Sequence, residues 1–492
     1  MLPNHRAAPQ ADPPKQSASR LERAVEFLLD PIVLLTVVHL SILALGLPLL
    51  ARLPGWFPRL HPKPLGPWYL LLGLAAVPAL GWLLARALKA SRFASILVLI
   101  LSGFVLQHGF AWSEGQGFDG IRRTIVTSGH AEFATVAVQQ SSMSDVVVEY
   151  EEKLRGEELG TYAHSKPPGT LLFYMATERL ARRLARNESA DARLKATRNL
   201  AAVVWPLMAY LPLLPLFYTL RRFVDDTTAY VACLLYLVVP SVTLMTLHTD
   251  QCLFPLLFTS TTWMAVESQA RRSVTWAFVT GACLYLSAFF TFALLLAIPM
   301  AAAFAVAETL QSTLDRSRES RGRALLKTGI AAAAGFILVG LELRYAYGYD
   351  FFARLEAATL YHAGWRNWQG GAFETFYFAW LDYLEFAIWV GIPLTLLSLA
   401  AERRAILRAV NGNLRGLVLP SLVVLLSFLY LGFFGRTKAE SGRLWLFLVP
   451  MCCGLAAVEL RERYPVRWGS FTTIVIALQW LTVYLTKMGQ DF

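Results

Sequence analysis

Charge is what this sequence is short of. Only 16% of its 492 residues are Asp, Glu, Lys or Arg, where a soluble globular chain carries about 25%. That deficit excludes a disordered chain, a coiled coil and an ordinary soluble enzyme. Cysteine is scarce too. Cys233, Cys252, Cys283, Cys452 and Cys453 all fall in apolar runs, with neither metal-ligand spacing nor the pattern of a disulfide framework. An apolar leader is also missing at the start. The first 30 residues are polar, rich in Pro and Ala, and carry Arg6, Lys15, Arg20 and Arg23, so no cleavable signal peptide is expected.

What the chain has instead is apolar surface. It is 56% hydrophobic and 13% aromatic, with a mean hydropathy of +0.47. This composition reads as an all-α polytopic membrane protein. A net charge of +11 could suit nucleic acid. The basic residues, however, sit in short clusters between apolar runs, as cytoplasmic anchors do, so no nucleic-acid partner is expected.

A helix needs about 20 residues to cross the hydrocarbon core. Largely apolar runs of suitable length lie near 32–51, 67–85, 94–111, 199–220, 229–247, 252–267, 273–289, 291–307, 326–346, 384–401, 416–434, 444–460 and 468–486, which predicts about thirteen transmembrane helices. The stretch between Arg272 and Glu308 reads as a tight hairpin turning near Phe290-Thr291. Residues 167–185 carry too many charges for a span and read as an amphipathic helix in the external interface. The positive-inside rule then places the N-terminus in the cytoplasm, with Arg86, Lys89, Arg92, Arg221-Arg222, Arg271-Arg272, Arg316–Lys327, Arg403-Arg404-Arg408 and Arg461–Arg467. Glu267 and Glu342, near span ends, read as snorkelling residues. The organisation expected is a disordered cytoplasmic tail over 1–25 and two extra N-terminal helices over 26–93. A core follows over 94–310 with an external loop at 112–198, then C-terminal helices over 311–492 with external loops at 347–383 and 435–443.

The segments assigned outside are where the polar chemistry gathers. The first runs through Phe118-Asp119-Gly120-Ile121-Arg122-Arg123 and Ser128-Gly129-His130-Ala131-Glu132-Phe133. After an acidic stretch from Asp145 to Glu158 it closes on His164-Ser165-Lys166-Pro167-Pro168-Gly169. A connection this long is expected to be ordered and functional. Pro-Pro-Gly marks an extended-to-helix transition, which holds His164 and Lys166 near a helix N-terminus that favours anions. Lys166 then reads either as a phosphate ligand or as a headgroup anchor. Asp119 reads either as a functional carboxylate or as the ion-pair partner of the adjacent arginines. Asp250, in the short turn Leu247-His248-Thr249-Asp250-Gln251-Cys252, is costly at the hydrocarbon boundary without a partner or a task, and can also cap the helix that follows. The third segment holds Tyr361-His362-Ala363-Gly364-Trp365-Arg366, which suits either an aromatic belt or a sugar ring. In the fourth, Arg436, Lys438 and Arg443 flank Glu440; cations outside run against the usual bias and suggest anion binding.

Asp119 with Arg122 three residues on, the His164-Ser165-Lys166-Pro167-Pro168 element and Asp250 occur in an order that resembles the GT-C superfamily of integral-membrane glycosyltransferases. Within it the pattern looks most like the branch of the aminoarabinose transferases and protein O-mannosyltransferases. Glu440-Ser441-Gly442-Arg443-Leu444-Trp445 looks like the late loop of some members. Gly120 stands where a second acid is common, and two spans precede the usual first one. The resemblance implies a GT-C-like fold with juxtamembrane helices in the first loop. It implies a sugar donor linked to polyprenyl phosphate, a lipid, glycan or protein acceptor, surrounding membrane lipids, and transfer on the external or periplasmic face of a plasma or inner membrane by an inverting single displacement. Asp119 would be the general base and Asp250 would orient the acceptor, or the two would share Mg or Mn if a metal is used. His164, Lys166, Arg366, Lys438 and Arg443 would hold the donor phosphate. Arg122, His130, Glu132, His362, Trp365 and Glu440 would bind substrate. Two other readings stay open. One is a secondary transporter, with Pro206, Pro212, Pro215 and Pro240 breaking helices; the other is a non-catalytic GT-C-like membrane protein.

Overall fold

The computed structural model describes residues 30–45, 52–56, 59–60, 92–113, 117–127, 131–185, 189–245, 250–311, 318–368, 370–435, 437–438 and 440–491. The expected tail 1–25 and the span at 67–85 lie outside them, as do His130, Arg436 and 247–249 of the second external turn. Apart from an antiparallel pair of two-residue strands, Arg59–Leu60 with Gln490–Asp491, the described architecture is helical.

The expectation of about thirteen spans is corrected. Among the described residues five helices are long and apolar enough to cross a membrane: Arg92–Gly109, Ala190–Leu220, Phe292–Gln311, Ser320–Tyr347 and Trp468–Lys487. A sixth is counted if Ala372–Val390 and Ile392–Val410, bent by 114° at their junction, act as one. The reason is that an apolar run reports composition and not helical continuity. The run at 229–247 gives the helix Asp226–Tyr236, then passes Pro240 into a π-helical turn, Ser241–Met245. The run at 384–401 breaks at Gly391, whose φ of 95° few side chains tolerate, ahead of Pro393. That at 444–460 is cut into Ser441–Leu444, a short 3-10 turn and Val449–Arg463, with Pro450 in its first turn. Others stay short: Pro31–Ala44, Val274–Phe290 and Val418–Phe434 have 14, 17 and 17 residues. The chain does break at Thr291, where extended backbone ends one helix before the 3-10 turn Phe292–Leu296.

Two antiparallel helices, Arg92–Ser113 and Ala190–Met208, frame the long connection between them. At one end of the pair, Arg92 and Arg221 both reach Asp226, at 2.6 and 3.4 Å. At the other end the helix Gly117–Thr127 packs on Ala190–Met208. Glu267 is not a snorkelling residue. It is buried near the end of Phe254–Arg271, held by Arg222 at 2.8 Å and Arg271 at 2.7 Å. Glu342 is exposed.

The long first segment folds into a helical platform of Gly117–Thr127, Ala131–Gln139, Met143–Val148 and Tyr150–Arg155. Pro168–Ala185 then turns Leu171, Tyr174 and Met175 into the core and leaves Leu180 and Leu184 exposed. Phe173 and Tyr174 pack on Trp205, at 5.3 and 5.0 Å between ring centres, which ties the platform to the helical bundle.

Candidate active site

Lys166 is set by its neighbours in sequence. The residue before a proline is pushed to extended backbone, and Lys166 lies at φ −130°, ψ 158°, just ahead of the helix that starts at Pro168. Its carbonyl, and that of Ala163, accept hydrogen bonds from the buried hydroxyl of Tyr150. The ammonium group is thereby delivered to Asp250, donating to Oδ2 at 2.9 Å, while the Tyr174 hydroxyl donates to Oδ1 at 3.5 Å. The Phe133 ring lies 5.6 Å from the same ammonium. Asp250 is wholly buried and the Lys166 side chain is 11% exposed. Burial pulls the Lys166 ammonium below its ordinary pKa, against the pull of the Asp250 carboxylate; Arg443 adds to the lowering and Glu440 opposes it. Those two groups therefore lie within electrostatic reach of Lys166.

Glu440 is the hinge of the second half. It is buried and pairs with both Arg366 and Arg443, the latter at 2.8 Å. Burial pushes its carboxyl up, but the two guanidinium groups together outweigh that and hold it below the usual carboxylate range. Arg366 also stacks over Trp365, 4.6 Å from the ring centre, and Trp365 meets Tyr162 edge-on. Lys166, Asp250, Arg366, Glu440 and Arg443, from four stretches far apart in the chain, thus form one buried charged neighbourhood.

The remaining candidates are placed differently. His164 stacks on Tyr361 at 4.7 Å, and its carbonyl accepts from the buried Arg354, which also binds Glu151. Lys438 donates to the carbonyls of Arg366 and Asn367 and pairs with Glu374. Those contacts use the three hydrogens an ammonium has. His362 packs near Trp365, 6.2 Å between ring centres. Glu132 accepts the backbone N–H groups of Thr161 and Tyr162, at 2.8 and 3.0 Å, and so anchors the loop that leads to Lys166.

Asp119 stands apart, its side chain 88% exposed and paired with Arg122 at 3.0 Å. It lines an open pocket of about 430 Å³ with Arg122, Arg123, Lys195, Arg198 and Asn199. Asp250 belongs to a deeper level, beside Tyr174 and hence Trp205. From Arg198 to Trp205 a helix rises about 10 Å. A divalent cation shared by the two carboxylates does not fit this arrangement. Each already holds a cation of the chain, and among the described residues no three His, Cys, Asp or Glu converge as a metal site.

Two acids escaped the sequence reading. Asp382 and Glu385 are buried one turn apart in Ala372–Val390. Glu385 accepts from the backbone N–H and hydroxyl of Ser441, at 2.7 and 2.9 Å. Asp382 accepts from the Thr437 hydroxyl, and its carbonyl accepts from Ser441. Their signal was a pair of carboxylates three residues apart in an otherwise aromatic and aliphatic run.

No family model matches the sequence, and no curated protein matches it. Crystal structures of the Archaeoglobus fulgidus oligosaccharyltransferase are similar in part. The apo form aligns at 12% identity and a TM-score of 0.44 over 80% of this chain and 55% of that one. The complex with Zn and sulfate aligns at 14% identity and a TM-score of 0.38 over 66% and 44%. The chain thus spans about half the length of those structures.

Proposed function

We propose that this chain is a multi-pass membrane glycosyltransferase that moves a sugar from a polyprenyl-phosphate donor to an acceptor hydroxyl at the external face of the membrane. The observation that carries this reading is the convergence of Lys166–Asp250 with Arg366–Glu440–Arg443. Three cations held in a buried, preorganised cluster are suited to charge that develops on a leaving phosphate. Arg443, Arg366 and Lys166 take that role, with His164 and Lys438 positioning their loops. Asp250 aims Lys166 and orients the acceptor. The acceptor oxygen bonds to the anomeric carbon as the bond to the phosphate oxygen breaks. The phosphate leaves with the electron pair, and Asp119 takes the hydroxyl proton. Base and leaving-group stabiliser then stand on opposite faces of the ring. Arg122, His362 and Trp365 complete the proposed substrate surface.

The test is Asp119→Asn in proteoliposomes carrying a polyprenyl-phosphate-linked sugar. Transfer is expected to fall at least 100-fold, in line with the roughly 10²–10⁴-fold worth of a general base, with an unchanged melting temperature. Full transfer by that variant removes Asp119 from the mechanism. The helix broken by 114° at Gly391 favours a second reading, a secondary transporter; counterflow of a labelled solute into proteoliposomes would distinguish it.

A further inference from the structure

The helix Phe351–Trp365 buries one narrow stripe, Phe351, Arg354 and Ala358. A guanidinium group in such a stripe is costly unless it is paired and hydrogen-bonded. Arg354, its side chain 3% exposed, finds both partners on other elements. One terminal nitrogen donates to the two Glu151 oxygens at 3.2 Å, and the other donates to the His164 carbonyl at 2.6 Å. Glu151 belongs to the platform helix Tyr150–Arg155, and His164 to the turn Tyr162–Ser165 that leads into Lys166. One side chain therefore joins three elements. The same helix holds that turn at two more points. Tyr361 stacks on the His164 ring, and Trp365 meets the Tyr162 ring edge-on at 5.8 Å. Arg354, Tyr361 and Trp365 lie about two turns and one turn apart, on one face. The next residue, Arg366, pairs with Glu440. A buried ion pair adds little net stability, so stability alone does not account for Arg354. What it fixes is geometry.

We infer that Arg354 is a positioning residue: by gripping the His164 carbonyl it sets the turn from which Lys166 reaches Asp250, and through its helix it keeps that turn in register with Arg366 at Glu440. Tyr150 holds the carbonyls of Ala163 and Lys166 on either side, and Arg354 holds the one between them. Arg354 touches neither Lys166 nor Asp250 in any described contact, and acts through the backbone that carries Lys166. The two halves of the charged neighbourhood are thereby braced by one helix, which meets the Lys166 turn along its length and carries Arg366 just past its end. The role in sugar transfer rests on the proposed function, whereas the placement of Lys166 can be read without any transfer assay.

The experiment uses the full chain in phosphatidylcholine nanodiscs. Reductive methylation of Lys166 is followed by mass spectrometry in the native protein, in Arg354→Gln and in Arg354→Lys, with melting curves recorded for all three. Lys153 is the internal reference, because it lies on the same platform and pairs with Glu149 and Glu158. The native Lys166 ammonium, 11% exposed and paired with Asp250, should react slowly. Losing a hydrogen bond from a charged donor shifts an equilibrium roughly ten-fold or more, so Arg354→Gln should speed methylation of Lys166 by about that factor while Lys153 keeps its native rate. Arg354→Lys keeps a charge beside Glu151 but not the fork that reaches both partners, and should fall between the two. If Arg354→Gln does not fold, Arg354→Lys against the native protein decides. Lys166 unchanged in the folded variants, or Lys153 rising in step with it, overturns the inference. In a second arm, transfer from a polyprenyl-phosphate-linked sugar by Arg354→Gln in proteoliposomes should lose about 10–100-fold in kcat with the donor KM nearly unchanged, as misplacement of a catalytic group does. An unchanged kcat in a variant whose Lys166 is freed overturns the role in transfer. A freed Lys166 with no transfer by the native protein sinks the proposed function and leaves the placement standing; normal transfer by an Arg354→Gln variant whose Lys166 is unmoved does the reverse.

Discussion

Removing one member of the Lys166–Asp250 pair should damage the protein far more than removing both. At 2.9 Å the pair gains about 6 kcal/mol of Coulomb attraction at an effective dielectric of about 20. Burial costs each ion several kcal/mol, so the net worth of the intact pair is small. The balance is lost when one partner goes. Asp250→Asn leaves an ammonium ion 11% exposed with no counter-charge in contact, and Arg443 nearby as a like charge. Lys166→Met leaves a carboxylate in a site that water does not enter. Each single change should cost about 3–5 kcal/mol, while the double change, which substitutes neutral groups for both ions, should cost well under the sum. The assay is a double-mutant cycle on the full chain in detergent or nanodiscs, with stability read from denaturant titration. A coupling of about 2 kcal/mol or more is expected, at the upper end of what contacting residues show. Additive single effects would show that the pair is not desolvated as described, and with it the buried charged neighbourhood would be lost.

Two further outcomes are expected. Glu440 is held below its ordinary pKa of 4.5 in the folded protein, so its contribution is complete above about pH 4.5 and is lost as pH falls through the depressed folded value; hydrogen-exchange protection factors over 437–445, corrected for the intrinsic pH dependence of exchange, should be flat from pH 7 to 5 and fall only below, and loosening that begins near pH 6 would contradict the pairing with Arg366 and Arg443. At the crossing of Val274–Phe290 with Arg318–Tyr347, a Cβ on Gly281 would lie 1.8 Å from the carbonyl oxygen of Ala332, and one on Gly335 2.1 Å from that of Phe278, so Gly281→Val should cost about 1–3 kcal/mol or more by overpacking, whereas Gly329→Ala, with open space around it, should leave the melting temperature unchanged or slightly raised.

Much of the charged neighbourhood was legible because the lipid phase penalises ionisable groups and so gathers them in the connections. Lys166, Asp250, Arg366, Glu440 and Arg443 could each be picked out this way. Their pairings could not. Lys166 meets Asp250 across 84 residues, and no local spacing encodes that. Glu132 shows the reverse error of emphasis: a carboxylate beside a histidine reads as substrate chemistry, yet its oxygens hold the amides of Thr161 and Tyr162. Gly160, with φ +78°, leaves it the space, since a Cβ there would lie 2.1 Å from the Glu132 carboxyl carbon. The helices were the least legible feature. Hydropathy marks Leu444 to Leu460 as one run, but the run cannot show that Ser441–Leu444 is a separate turn or that Leu446–Leu448 tightens before Pro450.

Asp382 and Glu385 explain why the late loop could not be read from its own residues. Both acids straddle the boundary drawn between an external segment ending at 383 and a span starting at 384, so neither side of the boundary claimed them. In the fold Ala372–Val390 is one helix, and it presents both carboxylates to the loop. Buried carboxyl groups need hydrogen-bond partners. The donors here are the hydroxyls of Thr437 and Ser441 and the Ser441 amide. Those bonds grip the loop on either side of Glu440. With its backbone held there, the Glu440 side chain extends between Arg366 and Arg443, and the two arginines are brought to one carboxylate instead of repelling each other. The cationic cradle proposed for the donor phosphate is therefore positioned by two acids that touch none of its cations in any described contact, and a reading of 435–443 alone had no means of finding them.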